Sequence, residues 1–232
     1  MGPWKEDYLD VVLVPCGLIL MFGYHLFLLY RYLKCPQTTV IGYENHNKRA
    51  WVERTFQVEL KDRGPAVSVI TSNITAAVAL SSISLVLSSL IGAWIGSSTA
   101  NLFTSSYIYG SRSLSIVYIK YISLLSCFLI GFACFVQTIW HFVHANFLIS
   151  MLNDDVPVIM VEREVIKGSV FWLAGLRSLY FATALLVWIF GPIPMFFCSV
   201  FMVGVLVVLD RNRMPLHQYK GVGRNEIAKV EN

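Results

Sequence analysis

Long uncharged stretches separated by short charged ones set the pattern of this chain. No Asp, Glu, Lys or Arg occurs from Gly64 to Ser111 or from Ser178 to Leu209, and from Tyr121 to Asn153 only His141 and His144 can take a proton. A helix crossing the hydrocarbon core needs about 20 apolar residues for about 30 Å. That reading predicts spans over about Val11–Tyr30, Val69–Ile95, Tyr121–Phe142, Val170–Phe190 and Met195–Leu209. The Ser178–Leu209 run would be about 48 Å long as one helix, too long for a straight span. Gly191-Pro192-Ile193-Pro194 breaks it, because two closely spaced prolines remove donors and clash with the preceding turn. Two helices meeting at a tight turn are therefore expected.

Two charged segments carry helical periodicity. Trp51, Val52, Phe56 and Leu60 share a face within the basic connector from Arg31 to Arg63, which predicts an amphipathic helix on the membrane surface. Val158, Val161, Val165 and Ile166 oppose Glu162, Arg163 and Lys167, which predicts a second. Asp154 or Asp155 would cap that helix and Gly168 would end it. Within the second span Ala77, Ser81, Ser84, Ser88, Gly92 and Gly96 form a small-residue seam. In lipid, such residues let helix backbones approach closely, so a packing role is expected ahead of a pore-lining one.

Composition agrees with the pattern. The 232 residues are 56% hydrophobic and 14% charged, with a mean hydropathy of +0.62, against roughly 25% charged in soluble domains. The expected fold is an all-α integral membrane protein, a five-span bundle with two surface helices. Residues 1–209 form one transmembrane domain and 210–232 a basic, disordered tail. Of 18 lysines and arginines, only Lys5, Arg112 and Lys120 lie opposite the connector and tail, with Arg177 inside a span. Basic residues favour the cytoplasm, which places the N-terminus outside and the C-terminus in the cytosol of a plasma or endomembrane. The acidic N-terminal stretch (Glu6, Asp7, Asp10) is not read as a signal peptide. Five dispersed cysteines predict no disulfide framework.

The residues also carry a resemblance. Tyr8-Leu9-Asp10-Val11-Val12-Leu13-Val14-Pro15, Gly23-Tyr24-His25, Pro36-Gln37-Thr38-Thr39-Val40-Ile41-Gly42 and Lys48-Arg49-Ala50-Trp51-Val52 look like the plant membrane proteins grouped as domain of unknown function 599. So do Ser72-Asn73-Ile74, Ser88-Ser89-Leu90-Ile91-Gly92-Ala93-Trp94-Ile95-Gly96, His144-Ala145-Asn146 and Leu186-Val187-Trp188-Ile189-Phe190-Gly191-Pro192. The resemblance runs from Tyr8 to Asp210 and implies a plant multi-pass membrane protein. It carries no established activity, so no catalytic residue follows from it.

No phosphate-binding Gly loop, CxxC pair, HExxH or Gly-x-Ser-x-Gly elbow is present. His141 and His144 without a nearby carboxylate make a poor metal site. Neither catalysis nor a cofactor nor a bound metal is expected, and nothing suggests nucleic acid. One polar pattern stands out: His25, Asn73, Gln137, His141 and Arg177 fall at similar depth near the cytoplasmic ends of their spans. Ionisable groups inside a membrane are costly and point to function. The expectation is an inner-side polar cluster in which Asn73 or Gln137 hydrogen-bonds Arg177. The leading reading is a non-enzymatic membrane interaction or regulatory protein. Its connector would meet anionic lipid headgroups, and it would assemble with itself or a membrane partner. The alternative is a channel or transporter component for a small solute or anion.

Overall fold

The computed structural model describes residues 4–96, 114–151 and 157–215. Among them are six α-helices: α1 Trp4–Lys34, α2 Val40–Gln57, α3 Gly64–Gly96, α4 Leu114–Ser150, α5 Val158–Trp188 and α6 Pro192–Leu209. All but α2 are long and apolar enough to cross a membrane. Residues 97–113 of the loop expected over Gly96–Ser113, the caps Asp154 and Asp155, and the tail from residue 216 onward lie outside the described residues. From α3 to α6 packing follows chain order, while α1 packs on α6 and α2 on α5. α4 lies between α3 and α5, and α6 lies between α5 and α1.

The break between the last two spans falls at Gly191. Its φ of 143° and ψ of 167° are essentially open to glycine alone. Pro192 then stands at the start of α6, where its missing donor costs nothing. The segment from Val158 to Gly168 is amphipathic, but it is continuous with α5 rather than a separate surface helix. Gly168 does not stop the helix. It is buried mid-helix, where a Cβ would lie 2.8 Å from the Phe142 ring of α4.

Helix α2 is also longer and better anchored than a helix resting on lipid. Thr39 caps it by accepting from Gly42 N at 3.2 Å. Leu60 lies beyond its end, in the short turn Leu60–Asp62. Val52 is fully buried and joins Ile70, Phe142, Ala145, Ile149, Val161 and Val165 in one core, with Trp51 and Phe56 against it. Arg63 follows, stacked 4.5 Å from the Phe56 ring centroid and donating to Ile149 O at 3.5 Å. A cation at that last turn of α4 meets the negative end of the helix dipole.

Of the six seam positions expected on α3, four are buried and two are not. Ala77, Ser81, Ser84 and Ser88 are buried, and Ile91 continues the line. Gly92 and Gly96 are exposed, and a Cβ at either would meet nothing within 4 Å. The reason is angular. Three successive steps of four residues drift by about 120° around a helix, whereas alternating steps of three and four hold one face.

Candidate functional site

The polar groups within the long helices gather at three places. At the C-terminal end of α6 the hub is Asp210, which is buried. Its carboxylate accepts from Tyr24 Oη of α1 at 2.6 Å and pairs with Arg177 Nη2 of α5. Its carbonyl accepts from Val40 N at 3.0 Å, and Asn212 N donates to Thr38 O at 3.2 Å. One residue therefore ties α1, α5 and α6 to the start of α2. Beside it His25 donates through Nδ1 to Met21 O at 2.7 Å, since a carbonyl can only accept. Its ring lies 5.0 Å from that of Phe181. His25 Nε2 and Arg177 Nη1 are buried without a hydrogen-bond partner among the described residues.

The second place is the opposite end of the same helices. Trp188 Nε1 donates to Asp10 Oδ1 at 2.9 Å, and Lys120 Nζ lies 5.3 Å from the Trp188 ring centroid. Asp10 and Lys120 are both buried. At the third place, His141 Nδ1 lies 2.7 Å from Glu164 Oε2, and Lys167 donates to the other Glu164 oxygen at 3.2 Å. The His141 ring stacks on Phe171.

The five expected cluster residues are thus not one site. Arg177 turns toward α1 and α6, not toward Asn73 or Gln137. His25 accompanies it, while His141 belongs to the Glu164 group. Gln137 is exposed. Asn73 lines a separate groove of about 300 Å³ between α2, α3, α4 and α5. Equal depth fixes a height along the helix axis and leaves the direction around it free.

Sequence reasoning missed Asp210, Tyr24, Asp10, Lys120 and Glu164 as partners. Asp210 is the first charge after a long apolar run, which was a usable signal. Among the described residues no three His, Cys, Asp or Glu side chains come together as metal ligands.

These observations define an all-helical, membrane-embedded chain in which ion pairs join α4 to α5 at His141–Glu164 and α5 to the end of α6 at Arg177–Asp210. A family profile described as a protein of unknown function, DUF599, matches residues 12–215, and the chain belongs to that family. No curated protein and no solved structure matches it.

Proposed function

We propose that this chain is a membrane interaction or regulatory protein that presents its basic connector and α2 to partners on the cytoplasmic side. The N-terminus is outside and the C-terminus in the cytosol, as the distribution of lysines and arginines favours. The supporting observation is the Asp210 hub, which spends the intramembrane charge of Arg177 on fastening α2 to three long helices. A fastened platform suits recruitment. Arg49, Glu53 and Gln57 stand exposed on α2 as a surface for anionic headgroups or a second protein.

A transport reading is favoured by one observation, the unpartnered His25 Nε2 and Arg177 Nη1. Anion and small-solute flux in reconstituted liposomes separates the two. The platform reading expects flux no faster than in empty liposomes. Flux well above that background, abolished by Arg177→Gln, would replace it with transport. Opposite-side tags on the two termini test the orientation, and both tags on one side would refute it.

A further inference from the structure

From the groove between α2, α3, α4 and α5 we infer a binding site for a single phospholipid with a zwitterionic headgroup. On its α2 side, Glu44 and Lys48 stand one turn apart, their charged atoms 3.1 Å apart. Its walls are apolar, among them Ile70 of α3, Phe142 of α4 and Val165 of α5. Asn73 of α3 also lines it and is exposed. The groove holds about 300 Å³, the lower end of the about 300–1,000 Å³ of small-molecule sites. That is room for a headgroup and the upper part of one chain.

The depth matches a lipid. The 33 residues of α3 make a helix about 50 Å long against a core about 30 Å thick, so about 20 Å in all stands outside the core. Asn73 comes about 14 Å along from Gly64. With up to about 20 Å of α3 outside the core, that residue lies near the core boundary at the N-terminal end of α3, beside the interfacial layer that holds a phospholipid's ester carbonyls. Trp51 in the same lining is a residue type concentrated at this interface.

The charge pattern selects the headgroup. Lys48 can take the phosphate, and Glu44 can take an ammonium group. An anionic headgroup would satisfy Lys48 but leave Glu44 facing like charge. The Glu44–Lys48 pair is partly exposed, and such pairs are weak, so a headgroup bearing both charges can open it and replace each partner.

The test is native mass spectrometry of the full chain. It is reconstituted in nanodiscs of equal phosphatidylethanolamine, phosphatidylcholine and phosphatidylglycerol, then stripped in detergent. One retained lipid per chain is expected, zwitterionic over phosphatidylglycerol by about tenfold, since like-charge juxtaposition is strongly disfavoured. Glu44→Lys should reverse that preference. Glu59→Lys makes the same charge change outside the groove, at an exposed pair with Lys61, and should leave the preference as it was. A thermal melt of each variant confirms folding. Failure to retain a lipid, preferential retention of phosphatidylglycerol by the unmodified chain, or equal responses to Glu44→Lys and Glu59→Lys would each overturn the assignment.

Discussion

Phe135 of α4 occupies the space that a side chain at residue 175 of α5 would need. A Cβ on Gly175 would lie 2.7 Å from the Phe135 ring. One heptad away Phe142 and Gly168 repeat the arrangement, and in the other direction Phe128 and Ala182 are buried in one core. On antiparallel helices the two Phe–Gly pairs form a ladder, each phenylalanine seated over a missing side chain, and Phe128 and Ala182 fall at the next rung by the same seven-residue step. Close approach of this kind is what holds helices together in lipid.

Gly175→Ala should therefore lower the melting temperature in detergent. Phe135 is fully buried and packed edge-on 5.6 Å from Trp172, so its ring has nowhere to move. Overpacking of this kind costs about 1–3 kcal/mol, against about 1 kcal/mol gained in helix propensity. Gly204→Ala, with nothing within 4 Å of its added Cβ, gains the propensity alone and should be neutral or stabilising. Equal shifts from the two variants would mean that α4 and α5 do not meet at Gly175.

A second comparison concerns α3. Ser84 is fully buried, and its Oγ would lie 3.7 Å from a Cβ on Gly131 of α4. Ser84→Leu should destabilise the fold by forcing α3 away from α4, whereas Gly92→Leu points into open space and should be tolerated. Melting curves of the two variants decide it. Comparable losses would put Gly92 back on the packing seam.

The spans were legible because apolar run length is a one-dimensional signal, and Gly191-Pro192 marked the last break in the same way. The α4–α5 ladder was also written in the chain, as phenylalanines at 128, 135 and 142 and small residues at 168, 175 and 182. Reading it needs the pairing of two distant segments, which periodicity within one helix does not give. The candidate site was less legible for the same reason. Arg177 announced itself as a costly charge, but its partner Asp210 lies 33 positions on. Depth alone pointed to Asn73 and Gln137, whose side chains face elsewhere.

The connector offers a sharper test of local geometry. A Cβ on Gly42 would lie 2.1 Å from Pro36 O, the same carbonyl that accepts from Thr39 N at 3.0 Å and Thr39 Oγ1 at 2.8 Å. Backbone cannot yield as a side-chain tip can. Gly42→Ala should thus detach the start of α2, seen as faster amide hydrogen exchange over residues 38–46 with the long helices still protected. Unchanged exchange in that segment would show that the Pro36 turn is not fixed as described.

The last prediction addresses the Asp210 hub by a double-mutant cycle. Arg177→Leu leaves a buried carboxylate with Tyr24 as its remaining side-chain donor. Asp210→Leu leaves a buried guanidinium. Breaking a buried ion pair from one side costs about 3–5 kcal/mol, because the surviving charge is stranded, while replacing both members with apolar residues is often neutral. The double variant Arg177→Leu/Asp210→Leu should therefore melt higher than either single variant. Arg177→Lys should fall between Arg177→Leu and the unmodified chain, since an ammonium keeps the charge but not the planar fork. An arginine that merely reached headgroups would behave differently: Arg177→Lys would be silent, and the effects of the two Leu substitutions would add. The readout is the five melting temperatures in one detergent, and additivity of the two Leu substitutions within about 0.5 kcal/mol would remove the Arg177–Asp210 pair as a link between α5 and the end of α6.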